Sequence, residues 1–199
     1  MAALKAHPSA AAVAENACWA LSNAAAIPAG QVACINCGAT PALVAALKAH
    51  ASVAAVAGMA CQALLKIACT TSGQEACLEA VPALVAVLGG HRSVAAVAEG
   101  ACGALNNIAA TSAGKAACIA AVPAIVAALQ AHASVAAVAR QAYVALWSIA
   151  CSPSGKQAVF AHAPALVSAY SVQWGPETQW VAYCALGTLG FHVDGSKHS

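Results

Sequence analysis

Four prolines stand one fixed step apart. Pro41, Pro82, Pro123 and Pro164 are each 41 residues from the next, inside TPALVAAL, VPALVAVL, VPAIVAAL and APALVSAY. Gly73, Gly114 and Gly155 keep the same step, as do His50, His91 and His132. A period of this length identifies copies of one supersecondary unit. A single copy cannot bury its apolar face, whereas stacked copies bury a continuous core. The first interval, Gly30 to Gly73, is 43, and its two extra residues fall in ACINCGATP, longer than the later equivalents ACLEAVP and ACIAAVP.

Each copy reads as three helical pieces. A short one follows the glycine, as in GKAACIAA (114–121), and a second starts at the proline, as in PAIVAALQAH (123–132). Proline suits a first helical turn, where its missing N–H is not needed. The third and longest, SVAAVARQAYVALWSIA (134–150), starts at a serine. Ser52, Ser93 and Ser134 stand just before periodic apolar runs, where a hydroxyl is expected to cap free N–H groups. Pro153 and Gly155 in CSPSG break the chain before the next copy. No alternating, β-rich segment is present, so the predicted class is all-α.

Composition narrows the function classes. The chain is 62% apolar but only 5% aromatic and 7% charged, with a formal charge of +2 and no basic cluster. That excludes nucleic acid and anionic membrane surfaces as primary partners. The mean hydropathy of +0.77 raises the question of a membrane, but Pro, His, Gly, Ser or Asn cut the apolar runs at short intervals. None reaches the roughly 18–20 uninterrupted residues that span a bilayer, so no membrane insertion is expected. The first residues lack the charged n-region and leucine-like h-region of a signal peptide. The expected compartment is the cytoplasm, with the nucleus as the alternative. Ten cysteines fall largely in repeat-equivalent columns, Cys18/Cys61/Cys102 and Cys34/Cys77/Cys118, which read as free thiols acting as small core hydrophobes.

The segments GQEACLEA, VPALVAVL and AEGACGALNNIA, taken together, resemble the armadillo repeat family, and the resemblance extends from Met1 to about Leu189. Two-helix HEAT repeats are the nearest alternative, but the short helix before the proline favours armadillo. The resemblance implies a right-handed α-solenoid with three helices per 41-residue unit. Its parts are a partial unit (1–29), full units at 30–72, 73–113 and 114–154, a divergent last unit (155–191) and a polar tail (192–199). MAALKAH aligns with VAALKAH (44–50), so the chain starts inside a unit, and self-association through this uncapped amino-terminal end is one expectation.

In importin alpha and β-catenin, members of that family, third helices line a groove for an extended peptide. An asparagine bonds the peptide backbone and a tryptophan one turn earlier walls a pocket. ACWALSNAA (17–25) places Trp19 and Asn23 in that relation. An extended strand presents N–H and C=O groups at intervals, and a side-chain amide can serve both. Down the column, the tryptophan position becomes Gln62, Gly103, Val144 and Cys184, and the asparagine position becomes Lys66, Asn107, Ser148 and Thr188. The candidate groove residues are therefore Trp19, Asn23, Gln62, Lys66, Asn107 and Ser148, with Trp19 as pocket wall and Asn23 and Asn107 as backbone clamps. The expected function is a non-catalytic protein-interaction scaffold binding an extended peptide or partner segment without a cofactor. The alternatives are a structural spacer within a larger assembly, or a degenerate nuclear-import adaptor. The last is disfavoured because most of the tryptophans and acids that capture lysine-rich signals are missing.

Other constellations have simpler readings. Cys34-Ile-Asn-Cys37 lacks the second ligand pair that zinc needs. The histidine column (His7, His50, His91, His132) spreads over separate units, too far apart for one ion. It falls where the second helix turns into the third, where imidazole is expected to meet exposed helix-end carbonyls. The recurrent His and Ser have no accompanying acid, and nothing resembles a nucleophile elbow, a phosphate loop or a paired-carboxylate site. No enzymatic activity is expected.

Overall fold

The computed structural model describes residues 9–170 and 173–190; MAALKAH and the 192–199 tail lie outside the described residues. The described residues are helical throughout, with no strand. In chain order the helices are α1 (Ala11–Ala24), α2 (Pro28–Asn36), α3 (Ala39–Ala49), α4 (Ala54–Ile67), α5 (Thr71–Ala76), α6 (Val81–Gly90), α7 (Ala95–Ile108), α8 (Ser112–Cys118), α9 (Val122–Ala131), α10 (Ala136–Ala150), α11 (Pro153–Phe160), α12 (Ala163–Ala169) and α13 (Pro176–Leu189). Single 3-10 turns, Leu78–Ala80 and Ile119–Ala121, join α5 to α6 and α8 to α9.

Proline stands within the first two positions of α6, α9 and α12 as expected, whereas α3 starts two residues before Pro41. The serine caps are corrected. α4, α7 and α10 start from Val53, Val94 and Val135 in extended conformation, and none of these starts carries a side-chain cap. The hydroxyl caps are at the short helices instead: Thr70, Thr111 and Ser152 accept from the N–H of Gly73, Gly114 and Gly155. These glycines therefore lie inside the first turn of α5, α8 and α11 rather than ahead of it. Their lack of a side chain is required, because a Cβ there would overlap the carbonyl oxygen of Ile67, Ile108 or Ile149 at the end of the preceding long helix. In the first trio the two extra residues extend α2. Gly38 then takes the left-handed conformation (φ 71°) that turns the chain into α3 without a 3-10 turn.

The long helices α1, α4, α7, α10 and α13 pack each on the next along their lengths, while α3, α6, α9 and α12 meet at fewer points. Between α3 and α6 this leaves an open apolar crevice of about 250 Å³ beside Leu47, Ala83, Val87 and the stem of Lys48. Glycine and alanine on the long helices permit the close approach. A Cβ on Gly100 would lie 3.1 Å from Cβ of Cys61.

The six column cysteines are buried, and no disulfide links any pair. Cys34, Cys77 and Cys118 each donate a weak S–H bond 13 residues back, to the carbonyls of Leu21, Leu64 and Leu105. Burial pushes the thiols of Cys61, Cys102 and Cys118 up to about 12. The last trio is packed differently. Trp174 is buried, donates from Nε1 to the Ala133 carbonyl at 2.8 Å, and meets Tyr143 and Tyr170 edge-on at 5.8 Å each.

His50, His91 and His132 are buried caps at the ends of α3, α6 and α9. The expected imidazole–carbonyl bonds are absent, and Nε2 of His91 and His132 has no partner. The backbone closes the corner instead, with the His carbonyls accepting from Val53, Val94 and Val135. His7 is outside the described residues. Ser112–Ala131, running through α8, the 3-10 turn and α9, is long and apolar enough to cross a membrane by those two criteria alone. It contains Lys115 and Pro123, and 44% of it is buried against the rest of the chain.

Candidate functional site

The last four carbonyls of a helix have no partner within it, and the geometry of the candidate residues follows from how these are satisfied. At the end of α1, the N–H of Ala25 takes the Leu21 carbonyl and that of Ala26 takes Asn23, which leaves Ser22. Lys66 of α4 fills the gap, with Nζ 3.1 Å from the Ser22 oxygen. A cation at a helix C-terminus is also favoured by the helix dipole. The pattern repeats one helix later, where no backbone N–H reaches the Leu65 carbonyl at the end of α4: Sγ of Cys69 donates to it at 3.4 Å and Nδ2 of Asn107 in α7 at 2.9 Å.

Ser148 of α10 makes the third bond with a change of acceptor. Its hydroxyl donates to Oδ1 of Asn106 at 2.8 Å, and Nδ2 of Asn106 donates to Oδ1 of Asn107 at 3.3 Å. A line of polar contacts therefore runs from α10 through α7 to α4. Nδ2 of Asn107 also reaches Sγ of Cys69 at 3.5 Å, so both ends of this amide are engaged within the chain. Three of the six candidates, Lys66, Asn107 and Ser148, are thus brought together as ties between neighbouring long helices. Asn107 has no amide group left over for the clamp role expected of it.

The other three are differently placed. Trp19 (56% exposed) and Asn23 stand open on α1, and the Asn23 side chain makes no hydrogen bond to the described residues. Gln62, partly buried on α4, lies over Gly100 of α7, its Nε2 3.3 Å from where a Cβ would be. Gly103 is buried beneath two side chains, Leu65 on one side and Gln141 of α10 on the other, with Oε1 of Gln141 3.3 Å from its Cβ position. One amide from α4 thus lies over Gly100 and one from α10 over Gly103, and neither is hydrogen-bonded to the described residues. Gln141 is absent from the sequence-derived set. The signal for it was its place one turn before the Trp19 column, opposite a glycine on the neighbouring helix.

The site is short of titratable groups. Among the described residues no three His, Cys, Asp or Glu side chains are grouped so as to hold a metal ion. Its chemistry is that of neutral hydrogen bonding beside one indole face. No protein-family model matches the chain, and no curated protein matches it in sequence.

Proposed function

We propose that this chain is a non-catalytic interaction scaffold: a right-handed armadillo-type solenoid, three helices to a unit, that holds an extended peptide along its row of long helices. The observation that carries this reading is the pair of uncommitted amides, Gln62 and Gln141, over Gly100 and Gly103 of α7 in the row that Trp19 begins. A primary amide can donate to one backbone group of an extended strand and accept from another. Leu65, Gln62 and Gln141 cover the two glycines, so a strand would meet the amides rather than the backbone of α7, and the indole offers a large apolar wall. Asn23 adds a third free amide, while Lys66, Asn107 and Ser148 hold the row in register. The near absence of charge fits neutral or apolar segments, and the protein acts in the cytoplasm or nucleus.

The test is selection of extended dodecapeptides from a displayed random library, followed by affinity measurement on the best binder. Gln62→Ala with Gln141→Ala should weaken binding at least tenfold, and Trp19→Ala comparably, with far-UV circular dichroism unchanged. A library that yields no binder, or a binder indifferent to all three changes, removes the reading. The spacer alternative is favoured by one observation, the commitment of Lys66, Asn107 and Ser148 to ties inside the chain, and it predicts that second outcome.

A further inference from the structure

The burial of equivalent residues along the row of long helices identifies which sides of its two outer members are unfilled. One column runs Cys18, Cys61, Cys102, Tyr143 and, after the one-residue deletion in the last unit, Tyr183. The first four are 0% exposed, whereas Tyr183 is 47% exposed. This column is covered by the following unit. The Cβ position of Gly100 abuts Cys61, and the Tyr143 hydroxyl donates to the Leu166 carbonyl at 2.6 Å. Tyr183 has the same orientation on α13, and its ring stacks on that of Trp180, 66% exposed, with centroids 6.1 Å apart.

A second column has the reverse pattern. Ala63, Ala104, Ala145 and Ala185 are buried, and Ala20 of α1 is exposed. One turn on, Ile67, Ile108, Ile149 and Leu189 are buried, and Ala24 is exposed. A column buried in every long helix except the first is one that the preceding unit covers. α1 and α13 therefore present the two halves of a junction that the chain makes four times within itself.

We propose that these halves join between copies: Trp180 and Tyr183 on α13 of one molecule seat against Ala20 and Ala24 on α1 of a second, head to tail. The occupant follows from continuity with the internal junctions, since the face that matches each free side is present on every other copy. None of these four residues is charged, so close contact meets no repulsion. A heterologous contact of this kind grows into an open chain or closes into a ring. The proposal is independent of the peptide groove.

Sedimentation velocity on the full chain tests it, from micromolar to submillimolar concentration. The weight-average mass should climb above 19.4 kDa with concentration. Tyr183→Glu blocks one face and Ala20→Glu the other, so each variant alone should remain monomeric. An equimolar mixture should give a two-chain species that grows no further, because only one pair of faces is intact. Far-UV circular dichroism checks folding, and Trp180→Ser with Ala24→Arg replaces any variant that fails it. A wild-type chain that is monomeric throughout, a single-face variant that still associates alone, or a mixture that stays monomeric would each overturn the proposal.

Discussion

The junction between α4 and α7 and that between α10 and α13 occupy equivalent places and are filled in opposite ways. At the first, small groups meet: Cys61 lies against Gly100, and Gly103 lies beneath Leu65. The backbones come close and little area is buried per residue. At the second, Tyr143 replaces the cysteine, Trp174 and Tyr170 surround it, and two hydrogen bonds tie the rings to Leu166 and Ala133. Close packing does not require one choice of side chain, provided that the facing volumes sum correctly. The aromatic solution concentrates its stability in a few large groups, and the small-residue solution spreads it over many.

The largest expected effect tests that contrast. Tyr143→Ala should cost about 3–5 kcal/mol, as for other fully buried aromatic rings, and should separate the unfolding of α11–α13 from that of the rest. Urea unfolding followed by Trp fluorescence and by circular dichroism would show the two transitions diverge. Coincident transitions would mean that the last junction is no more concentrated than the others. At the interior junction the dangerous change is enlargement. Gly100→Val should cost about 1–3 kcal/mol by overpacking against Cys61, and the paired variant Gly100→Val, Cys61→Ala should recover part of it in the same titration.

Buried thiols set the junctions apart in pH as well. Cys61, Cys102 and Cys118 are held near 12, above the ordinary thiol value of 9.0, chiefly by burial. A folded-state value above the unfolded one means that the unfolded chain loses protons first. Stability is therefore intact below pH 9 and falls from there toward pH 12, at up to about 1.4 kcal/mol per thiol per pH unit. Replacing all three by alanine should flatten the fall in melting temperature between pH 9 and 10.5. An equal slope in the variant would remove the thiols as its cause.

The smallest effects concern the ties along the row. Asn107→Ala takes the stronger of two donors from the Leu65 carbonyl, leaving only the Cys69 thiol, and should cost about 1 kcal/mol in chemical unfolding. Ser148→Ala should cost about 0.5 kcal/mol, since it loses a bond between two side chains that water can replace. A Ser148 effect larger than that of Asn107 would shift the main tie from the helix-end carbonyl to the Asn106 amide.

The all-helical class was legible in the sequence. Proline marked the starts of α6, α9 and α12, and the two cysteine columns are in the core. What escaped was governed by geometry between elements. Ser52 precedes a periodic run and looks like a cap, but extended Val53 takes the capping position and leaves the serine outside. Thr70 and Thr111 look like loop residues until the glycine N–H groups they accept from are placed beneath the preceding helix. Asn107 has the residue type and spacing of a clamp. Its amide is nevertheless spent on the Leu65 carbonyl, which no backbone N–H reaches because of how α4 ends. The placement of Gln62 and Gln141 likewise depends on the glycines beneath them on another helix.

Lys66, Asn107 and Ser148 share a direction: the hydroxyl, amide or ammonium belongs to the later helix and the oxygen it holds to the earlier one. The row thus has a polarity, like hooks that all open one way. Two such modules can be spliced in sequence order, and each graft brings the donor that its new neighbour lacks. Placed in reverse order, carbonyl would meet carbonyl at the seam, and the shuffled chain would have to find its register without them.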